Sequence, residues 1–261
     1  MIFLFVGKES FLALQGHSIN FLLDDSWYPT EGKFNLTPML MGSLYVTLGS
    51  VVLALPLGLF SAILACFYLG SKSRWLFVRA MELYTGIPSV VFGFWGLMKI
   101  VPLINQWHPP GQSLLAGILV LALMIFPILT LSLISSFEMS SDSNYRVSKS
   151  LGLKNSTYIW KVLIPSTRGQ MLGGILLSLG RAIGETMAVL MVCGNIVKVP
   201  SSVFEPVRTL TANIALEMAY AIGTVLFFGT LMLFTMPYIG IAIDLSESQF
   251  GAWSAIAILN T

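Results

Sequence analysis

The sequence predicts an all-α membrane protein, a polytopic bundle of about six helices of which the first is truncated. Three observations support this class. Of the 261 residues, 56% are hydrophobic and only 10% are charged, whereas a soluble domain carries about 25% charged residues. The mean hydropathy is +0.82. Five apolar runs reach the roughly 20 residues that a helix needs to cross a bilayer, so lipid rather than water is the predicted solvent.

The apolar runs divide the chain into three predicted regions. They cover Met39–Leu69, Phe77–Ile100, Leu114–Phe137, Met171–Val197 and Leu216–Ile243. A sixth run, Met1–Val6, is too short to span a bilayer, and we interpret it as the end of a helix whose beginning is missing. Residues 1–38 are expected to hold this remnant and an extracytoplasmic segment. Residues 39–244 form the predicted membrane domain, and residues 245–261 form a C-terminal tail.

The distribution of positive charge predicts the orientation of the helices. Gly70–Arg79 contains three Lys and Arg residues and Glu138–Gln170 contains five, together eight of the 14 in the chain. Gln15–Pro38 contains three acidic residues and one lysine. Loops rich in Lys and Arg face the cytoplasm, so we expect the two basic loops there.

Composition also excludes several functional classes. The net charge of +2 is too small to indicate a nucleic-acid partner. Cys66 and Cys193 lie far apart in apolar runs and are predicted to be buried hydrophobic residues. No Cys and His residues have the spacing of metal ligands, and we expect neither a metal nor a cofactor.

The second basic loop predicts two short helices. The first, Tyr145–Leu151, would be capped by Asn144 and by Gly152 in a left-handed conformation. The second would begin at Asn155 or its neighbour and end before Pro165. Two such helices are typical either of a segment that docks into another protein or of an amphipathic helix at the membrane surface.

A charged pair lies inside the fourth long run. Arg181 and Glu185 are four residues apart and are expected to be neighbours on one helical face. Each charge costs at least about 2.5 kcal/mol at this depth and usually faces a cavity or the bundle interior. Gly180 and Gly184 have a spacing that lets a neighbouring helix approach closely. The pair is either an ion pair that fixes packing or an anion site, because the arginine fork suits an oxyanion.

A kink is predicted in the second long run. Gly86 and Pro88 weaken a membrane helix, and freed backbone groups are tolerated where they line a cavity or find other partners. Ser89 would then either present its hydroxyl to a permeation path or donate to a carbonyl of its own helix.

Two strings resemble the permeases of ATP-binding cassette (ABC) phosphate importers. They are RAIGETMAV, at Arg181–Val189, and GIPSVVFGFWGL, at Gly86–Leu97. Between them, Leu151-Gly152 followed by Ile164-Pro165 is similar to the coupling loop of bacterial ABC importer permeases. The resemblance covers about residues 40–243. The long segment before Met39 resembles the PstC-type subunit more than its PstA-type partner.

The loop departs from the family pattern at one place. Arg146, Val147 and Ser148 stand where the family has a Glu-Ala-Ala triplet. The acidic residue is therefore missing, while the glycine and the hydrophobic docking surface remain.

The resemblance implies the ABC type-1 importer transmembrane fold and a multi-pass permease subunit of the inner membrane, not an enzyme. Implied partners are a second, PstA-like permease subunit in a heterodimer, two ATP-binding subunits, an extracytoplasmic phosphate-binding protein, phosphate and membrane lipid. The chain has no G-x-x-x-x-G-K-[ST] string, so ATP hydrolysis is expected in a partner. The implied translocation residues are Arg181, Glu185 and Ser89. The implied coupling residues are Arg146, Val147, Ser148, Leu151, Gly152, Leu153 and Pro165.

Other functions stay open at this point. The same architecture would serve another oxyanion, sulfate or molybdate. A secondary transporter or channel driven by ion gradients would not need the docking loop. A membrane enzyme would need a nucleophile–base or metal constellation, and none is found in the sequence.

Overall fold

The computed structural model describes Trp27 and residues 35–217, without the side chains of residues 140–144. The chain divides into two compact units, Met1–Ala212 and Asn213–Thr261. Of the second unit, residues 213–217 are described and are helical. The predicted remnant Met1–Val6, nearly all of the run Leu216–Ile243 and the tail 245–261 lie outside the described residues.

The first unit is a helical bundle, which confirms the predicted fold class. Its helices, in chain order, are α1 (Thr37–Phe67), α2 (Ser71–Thr85), α3 (Ser89–Asn105), α4 (Leu114–Ser150), α5 (residues 155–183) and α6 (Met187–Val192). Helix α4 packs against α1 on one side and α5 on another. Ile125, Leu129 and Leu133 of α4 are fully buried at the centre of these contacts.

Two of the described helices are long and apolar enough to cross a bilayer. They are α1 and the Leu114–Met139 part of α4, with mean hydropathies of 2.3 and 2.8. Helices α2 and α3 together make a third candidate, but they meet at an angle of 89°. The predicted spans Met39–Leu69 and Leu114–Phe137 are therefore confirmed as single helices.

The predicted span Phe77–Ile100 is broken, at the place where a kink was expected. Helix α2 ends at Thr85, and α3 starts at Ser89 after Pro88, whose φ of −59° and ψ of 139° are not helical. Proline disfavours the helical conformation in the residue before it, here Ile87, so the first helix stops there. The break between α2 and α3 thus lies at Gly86–Pro88, where the sequence predicts a kink.

Two π-helical segments accompany prolines inside the bundle. Gly96–Ile100 lies inside α3 before Pro102, and Ile159–Leu163 lies inside α5 before Pro165. A proline cannot donate the backbone hydrogen bond of an α-helix, and the wider π turn next to it accommodates the change. Helix α5 therefore continues through Pro165, and the prediction that it ends there is wrong.

The cytoplasmic turn is shorter than predicted. Helix α4 runs on to Ser150, so Tyr145–Leu151 is not a separate helix and Asn144 does not begin one. No glycine or proline occurs between residues 138 and 150, and nothing there stops the helix. Gly152 is the left-handed cap that was predicted, with a φ of +73°. The Gly152 and Leu153 amides donate back to the last turn at 3.0 and 3.1 Å, the Schellman arrangement.

The two basic loops lie at the same end of the bundle. Arg74, from the first loop, forms an ion pair with Glu138, at the start of the second. Residues 193–209 close the opposite end, where the Leu114 amide donates to the Glu205 carbonyl at 2.9 Å. This arrangement agrees with placing both basic loops in the cytoplasm. Cys193 is buried and Cys66 half-buried, and both are free thiols.

Candidate functional site

The predicted charged pair lies at a break between two helices. Helix α5 ends at Ile183 with Gly184 as its cap, and α6 begins at Met187. Arg181 and Glu185 are therefore not neighbours on one helical face, and the span Met171–Val197 is not one helix. No ion pair joins the two side chains in the part of the chain that the structure describes.

Two hydrogen bonds hold Glu185 in place. Its side-chain Oε1 accepts the Ala188 amide at 3.2 Å, and its carbonyl oxygen accepts the Thr211 hydroxyl at 2.8 Å. The side chain is 9% exposed. An orphan amide at the start of a helix needs an acceptor, and the side chain of Thr186, the residue before α6, does not provide it. The carboxylate therefore caps α6, and this bond helps to fix the break.

Arg181 occupies the last turn of α5 and is exposed. The C-terminal end of a helix carries partial negative charge, which favours a cation there. Among the described residues Arg181 has no ion-pair partner, unlike Arg74 and Arg79. The helix end thus stabilises its guanidinium, whose N–H donors form no ion pair with any described residue.

Arg181 and Glu185 line one open concavity of about 620 Å³. The other lining residues are Ile128, Leu176, Leu177, Gly180 and Gly184. Ile128 lies 14 residues after the start and 11 before the end of the span Leu114–Met139. At 1.5 Å per residue these separations are about 21 and about 16 Å, so the concavity opens near the middle of the bilayer.

Among the described residues, no neighbouring helix packs closely against Gly180 or Gly184, although their spacing predicts such a contact. A Cβ added at Gly180 would meet nothing within 4 Å, and one at Gly184 would meet only the backbone of its own helix. Both glycines instead widen the concavity beside Arg181. Close helix contact is found at Gly93, where an added Cβ would lie 2.8 Å from the Ala188 Cα.

Ser89 is the first residue of α3 and is not part of the concavity around Arg181. Its hydroxyl forms no hydrogen bond with any described residue, so the expected alternative of a bond within its own helix is not present. Helices α3 and α6 run side by side in the same direction, with Gly93 against Ala188 and Gly96 against Val192. The first residues of α3 and α6, Ser89 and Met187, therefore lie at the same end of this helix pair.

The predicted coupling residues form a largely exposed turn. Val147 and Leu151 are 58% and 72% exposed, and Arg146, Gly152 and Pro165 are also exposed. Leu153 is half-buried and Ser148 is buried. The turn thus presents apolar side chains and a glycine to the solvent at the cytoplasmic end.

An aromatic cluster that the sequence did not predict holds this turn against α1. Tyr158 lies with its ring centroid 5.9 Å from Phe67 and 5.3 Å from Tyr145. Tyr158 is 1% exposed, and burial raises the pKa of its phenol above the ordinary value. No sequence spacing links Phe67 to Tyr158, because they meet only when α1 and α5 pack.

Thr211 and Ile128 were also missed as residues of the site. Each comes from a segment distant in sequence from Glu185, so no local pattern could have indicated them. Leu177 lies four residues before Arg181, and helical periodicity would have found it.

Comparison with known proteins defines the class. The family model described as binding-protein-dependent transport system inner membrane component matches residues 54–243. The chain therefore belongs to this family of ABC type-1 transport permeases and is a multi-pass inner-membrane protein, not an enzyme. Because the chain belongs to this family, we set aside the alternative of a transporter driven by ion gradients.

Individual relatives extend this similarity over most of the chain. The probable ABC transporter permease protein YqgH of Bacillus subtilis is 38% identical over 220 residues, which are 82% of this chain and 71% of the relative. The phosphate transport system permease protein PstC of Mesorhizobium japonicum is 32% identical over 243 residues, 85% of this chain and 74% of the relative. PstC of Xylella fastidiosa (strain Temecula1) is 30% identical over 236 residues, 81% and 72% of the two chains.

Proposed function

We propose that this chain is the membrane-spanning PstC-type permease subunit of an ATP-driven phosphate importer. The observation that carries the proposal is the concavity near the middle of the bilayer, where Arg181 has no ion-pair partner among the described residues and Glu185 is anchored beside it. Relatives that carry the name phosphate transport system permease protein PstC support phosphate as the cargo.

The two side chains have complementary roles toward a protonated oxyanion. Arg181 offers two parallel N–H donors and keeps its charge in a low-dielectric site. Glu185 uses Oε1 for the Ala188 amide, which leaves Oε2 to accept a hydrogen bond from a hydroxyl of the ligand. Hydrogen phosphate carries such a proton at neutral pH, whereas sulfate does not. The pair therefore favours phosphate over sulfate.

Transport requires partners that supply energy and cargo. The partners we propose are a PstA-like second permease subunit, two ATP-binding subunits that hydrolyse ATP and an extracytoplasmic phosphate-binding protein. The exposed turn around Val147 and Leu151 is the surface that would dock an ATP-binding subunit. Helix α5 then connects this turn to Arg181 over residues 155–181, about 39 Å of helix. ATP can drive the transition only if the two conformations bind it with different affinity.

A pair of arginine variants tests the site. We expect Arg181→Gln to reduce ATP-dependent uptake of radiolabelled phosphate, measured in proteoliposomes that contain the whole complex. Hydrogen bonds to charged groups contribute about 1.5–3 kcal/mol, so the loss should be about tenfold or more. Arg168→Gln is the matched control, because Arg168 is an exposed arginine of the same helix outside the concavity.

Wild-type uptake by Arg181→Gln would show that the concavity is not the translocation site. The cargo is tested separately by competition. Unlabelled phosphate should suppress uptake, and sulfate or molybdate at the same concentration should not. Equal suppression by sulfate or molybdate would mean that the importer carries another oxyanion.

A further inference from the structure

Helix α2 has an exposed face that the proposed transport site does not use. None of its 15 residues is buried. The half-buried residues recur at helical spacing and define the side that faces the bundle: Arg74, Phe77, Val78, Met81, Tyr84 and Thr85. On the opposite side Trp75, Leu76 and Leu83 are 62%, 64% and 78% exposed. Large apolar side chains at such exposure indicate a surface that something other than water covers.

The same outward face carries positive charge. Lys72 and Arg79 are three or four residues from Trp75 and Leu76. Leu83 is four residues from Arg79 and eleven, about three turns, from Lys72, so all five lie on one side of the helix. The Arg79 guanidinium lies 6.0 Å from the centroid of the Trp75 ring and 2.6 Å from the Glu82 carboxylate. Lys72 has no ion-pair partner among the described residues.

The position of α2 places this face at the level of the lipid headgroups. Arg74 pairs with Glu138, and Glu138 is the last residue but one of the span Leu114–Met139. The axis of α2 makes an angle of 89° with α3. Helix α2 therefore does not continue along the axis of α3. It bends away at the end of the membrane core where the basic loops lie.

Two hollows flank Trp75. One, of about 400 Å³, lies between the end of α1 and α2; Arg74, Arg79 and the acidic Glu82 line it together with apolar residues such as Leu69. The other, of about 460 Å³, is lined by Ser71, Lys72, Trp75 and Leu76. Cations beside apolar hollows match an amphipathic molecule with an anionic head and apolar chains.

We propose that the outward face of α2 binds an anionic phospholipid of the cytoplasmic leaflet. Lys72 contacts the phosphate of the headgroup, while Arg79 stays paired with Glu82. Trp75, Leu76 and Leu83 contact the upper part of the acyl chains. Tryptophan prefers the membrane interface, and basic residues near the cytoplasmic surface attract anionic lipids. The charge of this face favours such a lipid over a zwitterionic one. The site is independent of which anion the permease carries.

Photocrosslinking identifies what covers the face. The complete transporter with Trp75→p-benzoylphenylalanine is placed in nanodiscs of equal parts phosphatidylglycerol and phosphatidylcholine, illuminated and examined by mass spectrometry. We expect lipid adducts in which phosphatidylglycerol exceeds phosphatidylcholine by about fivefold, the effect of one basic residue near a charged surface. Adding Lys72→Gln should bring the two lipids close to equal yield.

The matched control is Lys154→Gln, which removes an exposed lysine from the cytoplasmic turn at the same end of the bundle. This control should leave the phosphatidylglycerol excess unchanged. The proposal is overturned if position 75 crosslinks to a protein subunit instead of lipid. It is also overturned if the two lipids react in equal yield in the protein with native Lys72, or if Lys72→Gln does not change their ratio.

Discussion

Two substitutions at Glu185 separate the charge of this residue from its structural role. Glutamine keeps a carbonyl oxygen that can accept the Ala188 amide, whereas alanine leaves this amide at the helix start without its acceptor. Hydrogen bonds to charged groups contribute about 1.5–3 kcal/mol and neutral ones about 0.5–1.5 kcal/mol. We therefore expect Glu185→Gln to lower the free energy of unfolding by about 1 kcal/mol and Glu185→Ala by about 2 kcal/mol.

Thermal unfolding of the purified complex measures this difference. One kcal/mol corresponds to about 2–4 °C for a chain of this size, so Tm should fall by about 3 °C for Glu185→Gln and about 6 °C for Glu185→Ala. Phosphate uptake should fall by about fivefold in both variants, because both lack the carboxylate that accepts the ligand proton. Glu82→Gln is the control, since the Arg79–Glu82 pair is exposed and contributes little to stability.

Equal loss of Tm in the two Glu185 variants would refute the capping role. Wild-type uptake in both Glu185 variants would refute the role of this carboxylate in binding the ligand.

Three further predictions concern helix packing, the cytoplasmic turn and the opposite end of the bundle. Gly93→Ala should lower the free energy of unfolding by about 1–2 kcal/mol. Overpacking costs about 1–3 kcal/mol, and alanine returns about 0.5–1 kcal/mol of helix propensity. Thermal unfolding measures the change, and Gly173→Ala is the control because its Cβ would meet nothing within 4 Å. Gly152→Ala should strain the left-handed cap by about 1–2 kcal/mol and lower the phosphate carried per ATP hydrolysed, measured by parallel uptake and ATPase assays. At Glu205, hydrogen bonds from the Ser201 amide and hydroxyl hold the pKa of the carboxyl below its ordinary value of 4.5. The stability they contribute is present above this value and is lost as the pH falls through the lowered pKa, so the hydrogen-exchange protection of residues 201–205, relative to the intrinsic exchange rate at each pH, should fall there.

Each of these predictions has an outcome that contradicts it. Gly93→Ala with the Tm of Gly173→Ala would mean that α3 and α6 separate without loss. An unchanged ratio of phosphate to ATP in Gly152→Ala would show that the turn does not transmit motion. For Glu205, the contradicting result is an acid-induced loss of hydrogen-exchange protection that persists unchanged in Glu205→Gln.

The membrane class and the long helices follow from composition and local pattern. Apolar runs of sufficient length must be helical in lipid, because every backbone amide and carbonyl needs a partner there. Met39–Leu69 and Leu114–Phe137 were accordingly predicted as single helices. The break at Pro88 and the cap at Gly152 were predictable as well, because both depend on the conformational limits of one residue and its neighbours.

The local sequence pattern gave a wrong prediction where a residue distant in sequence determines the backbone conformation. The spacing of Arg181 and Glu185 predicts two neighbours on one helix, yet the helix ends between them, and Thr211 and the Ala188 amide bind Glu185 there. Pro165 predicts a helix end, yet a π turn carries the helix through it. The break at Glu185 depends on a contact across the bundle, from Thr211, whereas the π turn is a local response to the proline.

The composition of the chain and the conformational preferences of single residues thus determined that it is a membrane protein. They also showed which loops are basic and which residue types could bind an anion. Only the packed bundle decided that Arg181 and Glu185 face one concavity near the middle of the bilayer and that α2 turns its Trp75 face outward. The physical reason is the distance along the sequence over which each effect acts. Hydropathy and backbone preference act between residues close in sequence, whereas a cavity is the space left between helices whose contacts are distant in sequence.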